Sequence, residues 1–443
     1  MKYKSKIDRE YKPIIYDILE SNEKYDNEIK VMIENSLGYS YSYSFNASDN
    51  PSVSYPLAER IVKSLLWIVG GNKIYISGNK EYRDLLQKSF SKGGDREFDA
   101  SFMENVYKKP LEIIHTDSFK EDNLLNLKLG KNFKGYKIGF DAGGSDMKIS
   151  AVVDGEVIFS DEILWLPKIQ NDISYHYEYI KKAFLLAMEK MPRLDGIGVS
   201  SAGIYIDNKT ATASLFRGCD KRYSKEIENI YLNIRDEIAP GVPIEVMNDG
   251  DVTALAGAIY FNSNSVLGIA MGTSEAGGYV NKDGGFTGWL SELGYVPVTL
   301  KTTKSDTVWS GDSGIGGNYF SQDAVIRLAG MAGLELKGDT LAAKLSYCQS
   351  LMENGNELAY EIFRTIGIYL GYTIPFYAEF YKIDTLLLLG RVTSGSGGDL
   401  VISTAKEILK NEFPYLSINV VTADEKFKRV GQSIAAASLP KNK

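Results

Sequence analysis

Four short segments carry the residues whose types and spacing could do chemistry. Phe140-Asp141-Ala142-Gly143-Gly144-Ser145 and Ala270-Met271-Gly272-Thr273-Ser274-Glu275-Ala276-Gly277-Gly278 each place glycines and hydroxyls after an apolar run. A phosphate needs backbone N–H groups brought close, and glycine permits this because it has no Cβ. Ser145, Thr273 and Ser274 add hydroxyl donors, and Asp141 could orient Mg²⁺ through water. Alone, each segment is also an ordinary hairpin turn. A pair of them suits a polyphosphate gripped from each side. In Met247-Asn248-Asp249-Gly250-Asp251, Asp249 could accept the proton of an attacking alcohol and Asn248 could bind neighbouring hydroxyls. The same pair equally suits a helix N-cap. In Trp289-Leu290-Ser291-Glu292-Leu293-Gly294-Tyr295, Glu292 could take vicinal sugar hydroxyls as a two-oxygen acceptor, or simply cap a turn. Together the segments read as a site that moves a phosphoryl group onto a hydroxyl.

The elements that must position them follow from pattern. Lys137–Asp141, Lys148–Val153 and Glu156–Phe159 read as strands joined by turns, an antiparallel ribbon with Asp154-Gly155 as its hairpin. Tyr175–Lys190 reads as an amphipathic helix, and Gly196–Ser200 as a strand. Ser224–Ile238 is expected helical, and Ile244–Met247 is a strand ending at Asn248-Asp249. Beyond it come a helix over Val252–Tyr260 and a strand over Ser265–Ala270. A long helix over Leu358–Phe376 precedes a buried strand over Ile383–Leu389, which enters Gly390. Leu400–Asn411 and Val430–Ser438 close the chain as helices around a strand at Ile418–Val421. The opening ribbon recurs loosely at Val266–Gly272, Gly277–Val280 and Val296–Leu300, which suggests a duplicated lobe with a cleft between the copies. The class is α/β with mixed sheets. Before this lies a different stretch. Ile14–Ile33 has helical spacing, Tyr39–Ser54 reads as a polar loop, Ala58–Val69 and Glu81–Phe90 as helices, and Lys73–Ser77 as a strand. A DNA-binding helix-turn-helix is disfavoured there, because no compact basic recognition helix occurs.

Composition narrows the field. The chain has 443 residues, 44% hydrophobic, with a formal charge of −7, which argues against a nucleic-acid surface. Its 29 tyrosines are spread over the whole length, as in half-buried packing. Two cysteines, Cys219 and Cys348, exclude a disulfide framework and a cysteine-only zinc site, and suit a reduced cytoplasmic setting. His115 and His176 have no cysteine at ligand spacing. The opening residues mix charges of both signs, unlike a signal peptide, and no run approaches the roughly 18 apolar residues of a membrane span.

From about Tyr136 to Leu439 the chain resembles the ROK sugar kinases and repressors, within the sugar kinase, Hsp70 and actin superfamily. Asp141-Ala142-Gly143-Gly144-Ser145 resembles the first phosphate loop of that family, and Met271-Gly272-Thr273 through Gly278 the second. Ile197–Ser200 with Ala202-Gly203 resembles the strand before the sugar site, and Asn248-Asp249 the pair whose Asp is the catalytic base. Ser291–Val298 is similar to the sugar-binding turn, and Leu389-Gly390 to the adenosine segment. The resemblance implies two actin-like (ribonuclease H-like) lobes with mixed sheets around a cleft, at 135–248 and 249–429. The closing helix within 430–443 would pack back on the first lobe, and 1–134 would be an N-terminal α+β extension outside the family core. It implies ATP and Mg²⁺, a small-molecule sugar partner, a cytoplasmic location, and a homodimer as is common in the family. Tyr295 stands where the family has a zinc-ligating His, and Trp309–Gly317 contains none of the cysteines of its zinc loop, so no zinc is expected. Arg391 replaces a common Gly. The expected activity is ATP-dependent phosphorylation of a hexose or hexosamine hydroxyl. A non-catalytic sugar-binding or regulatory protein, and an acyl-group kinase or ATPase of the superfamily, are the competing readings.

Overall fold

The computed structural model describes residues 1–144, 146–301, 308–422 and 425–441. The chain divides into two units, each mixed α/β, the class expected. One holds Met1–Leu125, Ile269–Gly277 and Gly288–Thr422; the other holds Asn126–Gly268, Gly278–Thr287 and Ala423–Lys443. Among the described residues, no helix is long and apolar enough to cross a membrane.

In the second unit, a five-stranded sheet runs in the order Ile244–Asn248, Gly196–Ser201, Tyr136–Ala142, Asp146–Val153, Glu156–Leu164. The last three strands form the expected antiparallel ribbon. Val153 pairs with Glu156, so Asp154 and Gly155 are the two turn residues, at φ 48° and 87°. That is the left-handed pair a tight hairpin demands. The first three strands are mutually parallel. Their register sets Asp141 opposite Ser200, Ser200 opposite Met247, and Ser201 opposite Asn248. Three carboxyl-terminal strand ends thus come level, the edge at which open α/β sheets bind ligands. Helices Ile173–Met188 and Ile230–Ile238 bury Ile180, Phe184 and Ile234 with Phe140 and Val199. Helix Glu425–Ala437 packs on strands Tyr136–Ala142 and Gly196–Ser201. It lies so close that a Cβ on Gly198 would collide with the Ala436 carbonyl.

The first unit has two four-stranded sheets. One runs Ser40–Asn46, Glu28–Glu34, Lys73–Ile76, Glu112–His115. The other runs Glu275–Val280, Val266–Met271, Thr385–Leu389, Asn419–Thr422, its first two strands continuing past the unit boundary. Helix Glu357–Ala378 is buried along most of its length. The opening residues of the chain lie on it: Ser5 and Thr365 hydroxyls hydrogen-bond at 2.8 Å, and the Tyr3 N–H donates to the Tyr372 hydroxyl at 3.1 Å.

Several elements differ from the sequence expectation. The helix expected over 14–33 stops at Lys24, and Glu28–Glu34 is a strand carrying the alternating branched residues Ile29, Val31 and Ile33. The polar stretch 39–54 is not a loop. Ser40–Asn46 is a strand whose Tyr43 and Phe45 are buried, and a helix begins at Pro51 with the Asn50 side chain accepting from the Ser52 N–H. Pro at the first helical position lacks only a donor that would be unpaired anyway. Val296–Leu300 forms no third strand of a repeated ribbon; Pro297 makes an isolated bridge to Ile315.

Candidate functional site

At the level strand ends of the second unit, the Ser200 hydroxyl donates to Asp141 Oδ1 at 2.8 Å. Gln432, from the closing helix, donates to Ser200 Oγ at 3.1 Å and to the backbone carbonyl of Asp249 at 3.3 Å. Asn248 donates to the Gly203 carbonyl at 2.8 Å and accepts from the Gly250 N–H at 2.7 Å, so it does cap helix Asp249–Tyr260. Asp249 is half-buried at the first turn of that helix, where the Gly250 N–H also reaches Oδ1 at 3.1 Å. The capping role is therefore fulfilled, and the Asp249 charge acts on the Asp141 carboxyl. Burial raises the Asp249 carboxyl above the ordinary Asp value, with the backbone hydrogen bond opposing it. Burial pushes Asp141 up to about 6; the Ser200 hydrogen bond lowers it and the Asp249 charge raises it. Asp251, one step further along, accepts from the Tyr279 N–H at 3.1 Å and is pushed by burial up to about 7.

The first glycine turn leaves strand Tyr136–Ala142 at Gly143, whose carbonyl accepts from the Trp165 indole at 2.9 Å. Gly144 is exposed. Lys168 Nζ sits 2.9 Å from the point a Gly144 Cβ would occupy, a cation over the turn. Ser145 lies outside the described residues.

In the first unit, Gly272-Thr273-Ser274 is a tight turn between two strands, closed by the Gly272 N–H donating to the Ser274 carbonyl at 3.1 Å. Thr273 and Ser274 are exposed. The Gly272 carbonyl accepts from the Gln322 N–H at 2.9 Å. Gly390, at φ 99°, ends the adjacent strand, and any Cβ there would collide with the Met271 backbone. The two expected nucleotide segments of this unit therefore touch.

Glu292 is half-buried and held by the N-terminal stretch. Its N–H donates to the Trp67 carbonyl at 3.0 Å, and the Ser291 N–H donates to the Ile68 carbonyl at 2.9 Å. These are carbonyls at the end of helix Pro51–Ile68, which have no partner inside the helix. Trp67 also stacks on Tyr295 at 4.1 Å and donates its indole N–H to Asp99 at 2.6 Å. Behind it lies a buried charge cluster. Arg60 bonds both oxygens of Asp312, at 2.5 and 3.1 Å. Lys63 bridges Asp312 and Asp99 at 3.0 Å each, and Arg96 joins Asp312 to Glu59. Against the effect of burial, the three cations hold the Asp312 carboxyl far below the usual range.

Of the residues singled out in the sequence, Asp141, Asn248 and Asp249 are brought together in one unit, and Gly272, Thr273, Ser274, Gly390 and Glu292 lie in the other. Ser200 was expected only as part of the strand before the sugar site, and Gln432 and Lys168 carried no expectation.

No family model matches the chain, and no curated protein matches it. Solved structures do. A ROK family glucokinase from Streptomyces griseus, bound to glucose and AMPPNP, is 19% identical over 68% of this chain and 98% of its own, with a TM-score of 0.50. The ROK hexokinase from Thermus thermophilus is 16% identical over 69% and 98%, at 0.53. A ROK family transcriptional regulator, a homologue of the E. coli MLC protein, is 15% identical over 69% and 78%, at 0.51. The chain has the fold of the ROK family sugar kinases.

Proposed function

We propose that this protein transfers the terminal phosphoryl group of ATP to a hydroxyl of a hexose or hexosamine, with Asp249 as general base. The supporting observation is the strand-end cluster, in which Ser200 and Gln432 tie Asp141 to the Asp249 backbone. Asp249 takes the acceptor hydroxyl proton as the oxygen–phosphorus bond forms. The bond from phosphorus to the bridging oxygen breaks, and ADP leaves with that electron pair. Asn248 orients the neighbouring hydroxyls, and Glu292 accepts from a vicinal pair. The turns at Gly143-Gly144 and Gly272-Thr273-Ser274 donate to phosphate oxygens, with Lys168 adding charge at the first. Asp141 is a hard oxygen donor of the kind Mg²⁺ prefers, and would hold it through water. The ion supplies charge neutralisation on the phosphates when bound. The cytoplasmic setting and the homodimer belong to the same proposal.

The fold is shared with a glucokinase and with a regulator, so a sugar-binding protein without turnover is the competing reading. A coupled ADP-release screen over hexoses, hexosamines and their N-acetyl forms separates the two. Sugar-dependent ADP release supports the kinase; sugar binding without it supports the alternative.

A further inference from the structure

We propose that helices Pro51–Ile68 and Glu97–Tyr107 build a carbohydrate-stacking wall beside Glu292, in which the indole of Trp309 takes the CH-rich face of a pyranose ring. The proposal rests on the reading of Glu292 as an acceptor of sugar hydroxyls.

Trp309 is 72% exposed, which is unusual for the largest apolar side chain. It is not isolated. The Phe98 ring meets it edge-on at 5.0 Å and 74°, and Phe102 at 6.3 Å and 81°. Tyr295 lies 6.0 Å away. Phe98 and Phe102 come from the helix that also supplies Asp99. The rings are joined to Glu292 through one residue. Trp67 stacks on Tyr295 and accepts the Glu292 N–H, while Asp99 and its Lys63 partner fix the Trp67 indole.

The chemistry selects the ligand. A pyranose has a rim of hydroxyls and one face of C–H groups. A carboxylate and an exposed indole on one ring cluster complement both at once, whereas a phosphate or a carboxylated ligand would meet repulsion from Glu292.

Calorimetric titration of the full chain without nucleotide tests this, with glucose, N-acetylglucosamine and methyl glucoside as probes. The wild type should bind at least one of them. Trp309→Ala should weaken that binding about tenfold, the scale of one aromatic contact. Trp309→Phe, which keeps an aromatic face, should retain most of it. The KM for MgATP and the melting temperature should stay unchanged. Wild-type affinity in Trp309→Ala, or no binding of any pyranose by the wild type, overturns the proposal. Binding by the wild type without phosphorylation defeats the kinase reading and leaves the wall standing.

Discussion

Glu275 follows the Thr273-Ser274 turn and has a buried carboxyl with an unusual environment. Tyr377 donates to its Oε1 at 3.4 Å, and its Oε2 meets no hydrogen-bond partner among the described residues. Burial pushes its pKa up to about 8, against an ordinary value of 4.5. The folded protein therefore keeps this acid neutral where the unfolded chain ionises it. Its contribution to stability is greatest below the unfolded value and is lost as pH rises toward 8. Glu275→Gln, which mimics the neutral acid, should melt about 4 °C above the wild type at pH 8 and alongside it at pH 4. Scanning calorimetry at the two pH values checks this, and an equal offset at both would contradict it. Asp249 illustrates what residue type alone reveals. An Asn-Asp pair after an apolar run was legible as a base and as a cap, and the structure shows the cap. Ser200 was legible only as part of the strand before the sugar site, and Gln432 was not legible. Their roles arise from a parallel register and from a helix far along the chain, neither of which has a local signal.

At the scale of elements, the most specific device is the loop around Asp312, held by Arg60, Lys63 and Arg96. All these groups are buried, so removing the acceptor leaves Arg60 with only the Glu59 carboxylate, 4.0 Å away, while Lys63 keeps Asp99 and Arg96 keeps Glu59. Asp312→Asn should cost about 3–5 kcal/mol, the usual penalty for breaking a buried pair. Denaturant unfolding measures this, and a loss under about 0.5 kcal/mol would show the cluster to be dispensable. The ribbon at 136–164 was readable because alternation and an Asp-Gly turn coincide. The N-terminal elements were misread for a physical reason. In Ser40–Asn46 the strand alternates Ser with aromatic residues, so the stretch looked polar in sequence although Tyr43 and Phe45 are buried. In 14–33 a helix and a strand abut with only a short break, and the branched residues of the strand mimic helical spacing.

At the scale of the molecule, residues 1–125 fold in one unit with 288–422. They hold the Glu292 turn through the carbonyls of Trp67 and Ile68. This gives the N-terminal stretch a role that composition did not suggest. The Asp312 loop occupies the sequence region where the resembling family has its zinc loop, and it carries no cysteine. Elemental analysis of the purified protein should accordingly find no stoichiometric zinc; one zinc per chain would contradict that reading. The central claim concerns Asp249, and the coupled ADP-release assay of wild type and Asp249→Asn addresses it most directly. The account predicts sugar-dependent ADP release by the wild type and about a thousandfold lower kcat in Asp249→Asn, with the same melting temperature. It also predicts that the wild-type rate falls on acidification through an Asp249 pKa raised above the ordinary value, since only the ionised base accepts a proton. Sugar-dependent turnover at the wild-type rate in Asp249→Asn would contradict it.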